Sequence, residues 1–158
     1  MKRRILSVCC TLALVVGMLF VPEQKVVATD ALILDGSYLT HEEESIGYDT
    51  KITRGEDLQI GYSKCVKLGV DKIYAGGTTL ADHEVESVRL GVIVEYAQEG
   101  DDHWTYLDSW QVEANNTDRV MSNRRMEVES GYYYRVRCFH SANNDQSSSF
   151  TDGIYIGE

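Results

Sequence analysis

From Leu58 onward, apolar and polar residues alternate with a period of two, which is typical of strands with one buried face. The clearest run covers residues 88–96, where five apolar side chains share one parity. A polar turn containing glycine, at residues 98–102, separates this run from residues 104–112, where Trp104, Tyr106, Trp110 and Val112 share one parity. We therefore predict that these two runs form a β-hairpin.

Alternation marks further strands in the remaining sequence, strongly at residues 132–140, more weakly at 119–128, and also at 58–70 and 150–156. Segments rich in Ser, Asn, Asp and Gly separate these strands, including a predicted loop at residues 115–117. Because many short strands joined by polar turns indicate a layered sheet, we predict an all-β fold. The expected architecture is an antiparallel β-sandwich, immunoglobulin-like or jelly-roll-like.

The N-terminal segment has a different pattern. Three basic residues at positions 2–4 precede an apolar run at 5–21, and small residues follow at Val26 and Ala28. This order predicts a signal peptide at residues 1–28, with a signal helix and cleavage after Ala28. The alternative is an uncleaved anchor, since 17 apolar residues lie at the lower edge of a membrane-spanning length. We expect a secreted, extracellular protein without membrane association after cleavage.

Residues 29–57 lack alternation and include three consecutive glutamates at 42–44. We predict a loosely ordered N-terminal arm here, in which residues 31–34 could pair as one edge strand. The predicted β-sandwich domain then covers residues 58–158.

Charge narrows the range of partners. The formal net charge is −10, and removing residues 1–28, which carry a net +3, changes it by −3 to −13. Such a domain repels phosphate backbones and anionic membrane surfaces, so nucleic acid is not an expected partner. The charge serves solubility or attracts a cationic partner, such as divalent ions or a basic protein surface.

Two cysteines, Cys65 and Cys138, remain after the predicted cleavage. In an exported chain they could form a disulfide, and the alternative is two separate buried thiols. Cys65 lies on the opposite parity to its apolar neighbours, so a shared core requires a bulge between Tyr62 and Val66.

No residue pattern for catalysis is present. The four histidines, His41, His83, His103 and His140, lie in no recognised nucleophile motif. The two cysteines lack the short paired spacing of structural zinc sites, and no glycine loop that would cradle a phosphate occurs. We therefore predict a non-enzymatic protein without a cofactor or metal.

Acidic residues near the predicted hairpin turn offer a weaker alternative. Asp101, Asp102 and Asp108 supply the clustered oxygen atoms that calcium prefers. Because the pattern of a calcium-binding loop is absent, we interpret these residues as a solvated turn.

Aromatic residues suggest a binding surface. Tyr133, Arg135 and Arg137 share one parity of the strand at 132–140, so a strip of rings and guanidinium groups could form there. With Trp104 and Trp110, this strip is the predicted binding surface for an extracellular protein or a glycan. The alternative is that the rings reflect the general enrichment of aromatic residues in strands.

Several segments carry a resemblance to known sequences. They are Gly-Tyr-Tyr-Tyr-Arg-Val-Arg at 131–137, His-Ser-Ala-Asn at 140–143, Thr-Asp-Gly-Ile-Tyr-Ile at 151–156 and the hairpin at 92–110. In residues 50–158 the chain is similar to an uncharacterised family of small secreted bacterial proteins. The resemblance implies a signal peptide and a small β-rich domain, and it implies no activity. The paired cysteines depart from the pattern of that family.

The sequence thus predicts a secreted, non-enzymatic binding domain of unknown role. One alternative is a carbohydrate-binding module that uses exposed aromatic side chains. A second alternative is a small secreted hydrolase.

Overall fold

The computed structural model describes residues 33–49 and 55–158. These residues form nine β-strands: β1 (Ile33–Leu34), β2 (Ser37–Thr40), β3 (Glu44–Tyr48), β4 (Leu58–Gly69), β5 (Lys72–Ala97), β6 (Thr105–Glu127), β7 (Tyr132–Ala142), β8 (Asp145–Phe150) and β9 (Gly153–Ile156). The all-β prediction is confirmed. The predicted signal peptide and its helix lie outside the described residues. Across the described ranges, no helix is long and apolar enough to cross a bilayer.

The strands belong to one mixed, curled sheet that forms a half-barrel. Its order is β1-β2-β9-β7-β5-β4-β3, with β6 beside β5 and β8 beside β7. The prediction of a wholly antiparallel arrangement is wrong at one pair, because β2 and β9 run parallel. This parallel pair joins residues more than 100 positions apart in the chain, with Leu39 opposite Gly153 and Thr40 opposite Ile154.

Strand β5 organises the curl. Its first half, up to Ala81, pairs with β4, and its second half, from Val88, pairs with β7. A register shift against β6 between Leu80 and Val85 separates the two halves. Such an irregularity bends a strand and increases its twist, so the sheet curls over its main core. That core contains Cys65, Ile73, Ala75, Leu90, Val92, Val94, Tyr134, Val136, Cys138, Ile154 and Ile156.

The predicted hairpin is present in β5 and β6, from Val88 opposite Ala114 to Tyr96 opposite Thr105. The prediction of a loop at 115–117 is wrong, because β6 continues through these residues. Asn116 has a φ of 51°, a left-handed conformation that asparagine tolerates better than most residues. The polar residues therefore mark a bend in β6, opposite the shift in β5, and the strand does not end there.

The predicted arm contains more structure than expected. Residues 33–49 form three strands, and β1 turns into β2 through Asp35 and Gly36, whose φ angles are 48° and 81°. Two positive φ angles are what a tight two-residue hairpin requires. The loose order predicted for residues 29–57 therefore does not hold for residues 33–49. These strands have two to five residues, too few to show a clear alternation.

Strand β4 buries its odd-numbered residues from 61 to 65, whereas the sequence pattern predicts burial of the even-numbered ones. A register shift between Leu58 and Ile60 moves the odd positions inward, so Ser63 and Cys65 are fully buried. Leu68, expected in the core, is 44% exposed. The bulge that Cys65 needs does exist, but it lies at residue 59, before the predicted position.

Candidate functional site

The predicted aromatic and arginine strip forms, but most of it is buried. Trp104, Tyr133 and Arg135 are 9%, 6% and 2% exposed. The guanidinium of Arg135 lies over the Trp104 ring, 4.6 Å from its centroid. The indole Nε1 of Trp104 donates to the Leu34 carbonyl at 2.9 Å. These residues therefore anchor the N-terminal strands and do not present a free surface.

Arg135 is held by opposite charges. Its Nε donates to Glu95 at 2.8 Å, and its Nη2 donates to the Asp35 carboxylate at 3.0 Å. Its Nη1 donates to the Asp35 carbonyl at 3.1 Å and to the Ser37 hydroxyl at 3.0 Å. Arg137 shares Glu95, with its Nη2 2.9 Å from the other carboxylate oxygen. This network ties β1 and β2 to the outer face of β5 and β7.

Trp110 packs in a different cluster from Trp104. Its Nε1 donates to the Ser122 hydroxyl at 3.0 Å, and Arg124 lies over its ring at 4.4 Å from the centroid. Both partners come from the second half of β6, so Trp110 links the two halves of that bent strand. The structure does not bring Trp110 and Trp104 into one surface, since they pack in separate clusters.

The predicted disulfide is not formed. Cys65 and Cys138 are free, buried thiols in the main core. The Cys65 thiol faces the Tyr134 carbonyl, and the Cys138 thiol faces the Gly76 carbonyl. Burial raises the pKa of both thiols to about 12, so neither is a reactive thiolate near neutral pH.

The predicted turn acids do not converge on a shared site. Asp101 accepts the Gln98 amide at 2.7 Å, Asp102 pairs with His103, and Asp108 pairs with Arg124 at 2.9 Å. Within residues 33–49 and 55–158, no three His, Cys, Asp or Glu side chains are grouped to hold a metal ion.

His140 is the histidine with the most unusual surroundings. It is 2% exposed, with Nε2 2.8 Å from the Ser149 hydroxyl and Nδ1 2.9 Å from the Thr79 hydroxyl. The Thr79 hydroxyl also lies 3.0 Å from the Arg89 carbonyl, which can only accept. Thr79 therefore donates to that carbonyl, Nδ1 donates to Thr79, and Nε2 accepts from Ser149.

The contact between Ser149 and His140 resembles that of a nucleophile and its base, but both residues are closed off from solvent. Ser149 is 1% exposed, and a Cβ at Gly61 would lie 2.3 Å from the imidazole ring, so β4 covers the ring directly. A surface groove reaches His140, yet Ser149 is not among its walls. Burial lowers the pKa of His140 to about 4, which keeps it neutral. The pair is therefore a neutral, hydrogen-bonded part of the interior.

A cleft of about 450 Å³ lies where both ends of β5 meet the ends of β6 and β7. Its apolar walls are three tyrosine rings and two aliphatic side chains: Tyr96, Tyr132, Tyr134, Leu107 and Val128. Leu107 is the extra residue of a bulge in β6, which explains its position at the cleft. We call this feature the tyrosine cleft.

The rings of the tyrosine cleft form a corner. Tyr96 and Tyr132 are nearly perpendicular, at 87°, with centroids 5.4 Å apart. Tyr134 lies 6.2 Å from Tyr96, and its hydroxyl donates to the Glu129 carbonyl at 2.8 Å. Burial raises the pKa of Tyr134 to about 12, and this effect outweighs the hydrogen bond to the Glu129 carbonyl, which lowers the pKa. Tyr134 is therefore a fixed, neutral wall.

The remaining lining residues are acidic: Asp71, Glu127 and Glu129. No lysine or arginine lines the cleft. The nearest described pairing is between Lys72 and Glu127, at 3.9 Å, with side chains 44% and 86% exposed. Among the described residues, Asp71 and Glu129 have no ion-pair partner, so the lining of the cleft keeps a net negative charge.

Sequence reasoning missed this cleft because its rings come from different strand ends. Tyr96 is the second-to-last residue of β5, and Tyr132 is the first residue of β7. The one available signal was the run Tyr132–Tyr134, which had to expose a ring beside a buried one. Comparison of the chain with protein-family models, with curated proteins and with solved structures finds no match, so the case for a function depends on the residues and the cleft described above.

Proposed function

We propose that the protein is a secreted, extracellular binding domain without catalytic activity, and that the tyrosine cleft is its ligand site. The observation that carries this proposal is the corner of Tyr96 and Tyr132 beside three carboxylates. Small-ligand sites are concave, largely apolar and equipped with a few polar groups. The cleft has each of these properties, and its volume lies in the range typical of such sites.

The absence of catalysis is part of the proposal. The hydroxyls that contact the His140 ring, those of Ser149 and Thr79, are both buried without an approach for substrate. The tyrosine cleft itself contains carboxylates and phenols and no histidine, serine or cysteine. A small secreted hydrolase therefore has less support than a binding domain.

A carbohydrate-binding module is the second candidate. Rings beside carboxylates also suit sugars, whose apolar faces stack while their hydroxyls donate to oxygen atoms. Of the residues predicted from sequence for this role, Trp104 and Tyr133 are buried, and Trp110 is half-buried with Arg124 over its ring. A sugar would therefore bind in the tyrosine cleft, with Tyr96 and Tyr132.

The experiment is a ligand survey followed by amide chemical shifts. The purified, isotope-labelled protein is mixed with neutral sugars, alkylamines, carboxylates and short peptides. We expect at least one class to shift amides of the cleft lining, and Tyr132→Ala to remove the shift. The matched control is Tyr106→Ala, since Tyr106 is 60% exposed and lies outside the cleft. If no class shifts those amides, or if a compound is chemically converted, the proposal fails.

Export is tested separately. We propose secretion with cleavage after Ala28, supported by the basic, apolar and small-residue order of the first 28 residues. Protein recovered from the culture medium should begin at Thr29 by mass. Protein that stays with the membranes and retains residues 1–28 would instead support the anchor.

We also propose that the fold is a β-sandwich, immunoglobulin-like or jelly-roll-like, and that the chain is related to the secreted bacterial family it resembles. Contacts across the core support the sandwich, because the Cys65 thiol of β4 faces the Tyr134 carbonyl of β7. An experimental structure tests this, since stacked sheets lie about 10 Å apart.

A further inference from the structure

We propose that the tyrosine cleft selects an organic ammonium group, carried by a small molecule or by a lysine side chain. This inference rests on the proposed function, because it names the ligand class of the same cleft. It would make the protein an extracellular receptor for amines.

Ring geometry favours a compact cation over a sugar. Two rings at 87° with centroids 5.4 Å apart enclose a corner, whereas a pyranose stacks on one open, flat ring face. The face of a tyrosine ring is electron-rich and attracts an ammonium group within about 6 Å of its centroid. A group in the corner of Tyr96 and Tyr132 would approach both rings.

Charge favours the same ligand. Three carboxylates line the cleft, and no basic side chain does. Asp71 and Glu129 have no ion-pair partner among the described residues, and Glu127 has only the loose contact with Lys72. The net charge of −10 adds a long-range attraction for cations. An anionic ligand would be repelled both by the carboxylates of the cleft and by the net charge of the protein.

Tyr134 contributes rigidity. Its hydroxyl is held by the Glu129 carbonyl, and its side chain is 2% exposed. The ring belongs to the main core as well as to the cleft wall. This wall of the cleft is therefore fixed before a ligand binds, so less side-chain conformational entropy is lost on binding.

The experiment compares cations with a neutral compound of the same shape. Choline, tetramethylammonium and Nα-acetyl-lysine-N-methylamide are titrated into the purified protein, with 3,3-dimethylbutan-1-ol as the neutral match for choline. Binding is measured from amide shifts of the cleft lining. We expect at least one ammonium compound to bind at least about tenfold more tightly than the alcohol. Its affinity should fall as the salt concentration rises.

Two variants test the residues. Tyr132→Ala should weaken ammonium binding about tenfold, since it removes one side of the corner. Glu129→Gln should weaken binding several-fold, and because Glu129 is exposed this variant should fold normally. Tyr106→Ala and Glu84→Gln, both exposed and outside the cleft, are the matched controls and should bind as the wild type does.

The outcomes separate the two proposals. If the alcohol binds as tightly as the tightest ammonium compound, or if sugars alone bind, the ammonium inference is overturned and the binding function stands. Failure of every compound in the wider survey overturns both. Binding of the lysine derivative alone supports the inference and identifies a peptide as the source, whereas binding of choline alone identifies a small molecule.

Discussion

Arg135 and Glu95 show how the protein buries charge. They are the two charged side chains classed as buried in the described residues, and they contact each other at 2.8 Å. Asp35 and Arg137 complete the network, at 3.0 Å and 2.9 Å. Removing one member of a buried pair leaves the other without compensation, which costs far more than losing an exposed pair.

Arg135→Met should therefore destabilise the protein by about 3–5 kcal/mol, because it leaves Glu95 dependent on Arg137 and releases Asp35. The matched control is Arg119→Met, whose side chain is 69% exposed and which contacts Asp118 at 3.7 Å. It should change stability by less than about 1 kcal/mol. Urea unfolding measures both values. Equal effects from the two variants would contradict a structural role for the buried network.

His140 predicts a loss of stability in acid. Burial lowers the pKa of His140 from 6.5 to about 4. Between these two pH values the histidine is protonated in the unfolded chain but stays neutral in the folded protein. Its contribution is therefore complete above pH 6.5 and is lost as the pH falls toward 4. The loss amounts to roughly 3 kcal/mol, at 1.36 kcal/mol for each unit of pKa shift.

Unfolding free energies of the wild type and His140→Gln, measured from pH 7.5 to 4.5, isolate this contribution from that of the many carboxylates. The difference between the two proteins should shrink as the pH falls. Gln111→Asn, an exposed change that removes no titratable group, is the control and should leave a difference nearly independent of pH. A titration of the His140 ring by NMR with a midpoint near 6.5 would refute the assignment.

Among the elements, the long hairpin was predictable and the bends were not. Alternation over residues 88–96 identified β5, and the turn at 98–102 identified its partner β6. The bulge at residue 59 could not be read from sequence, because it depends on how β4 fits against β5. The bend at Asn116 looked like a loop because bends and loops use the same polar residues.

Two glycines of β5 give a matched test of how closely its neighbours pack. A Cβ at Gly77 would lie 2.6 Å from the Cys138 thiol and 2.7 Å from the Tyr62 carbonyl. A Cβ at Gly91 would meet only the Phe139 Cβ, at 3.8 Å. We expect Gly77→Ala to cost about 1–3 kcal/mol through overpacking, and Gly91→Ala to cost nothing measurable or to stabilise slightly. Thermal unfolding of both variants decides whether the curl of the sheet tolerates a methyl group at Gly77.

At the scale of the whole molecule, both sites combine segments that are distant in sequence. The Arg135 network joins residues about 100 positions apart, and the tyrosine cleft joins Asp71, Tyr96 and Tyr132. Sequence correctly placed arginines and tyrosines on one strand, but burial of that strip depends on β1 and β2, whose short length gave no signal. The aromatic character of the candidate site was therefore predictable from sequence, but its acidic lining and its location were not.

The curled sheet also predicts that its two halves unfold together. Cys65 lies on β4 and Cys138 on β7, yet both thiols belong to the same core. Each should react with a thiol reagent only after global unfolding, because no local opening of one strand leaves that core intact. The protection free energies of the two thiols should then agree with each other and with the unfolding free energy from urea.

The measurement uses two single-thiol proteins, Cys65→Ala and Cys138→Ala, in a background that carries Cys9→Ser and Cys10→Ser so that no other thiol reacts. Each protection free energy is compared with the stability of the same variant, which corrects for the cavity that alanine leaves. Protection of one thiol well below the global value would show that β4 or β7 opens independently. In that case the bend in β5 would act as a hinge between two separately stable parts, and one cooperative core would no longer describe the molecule.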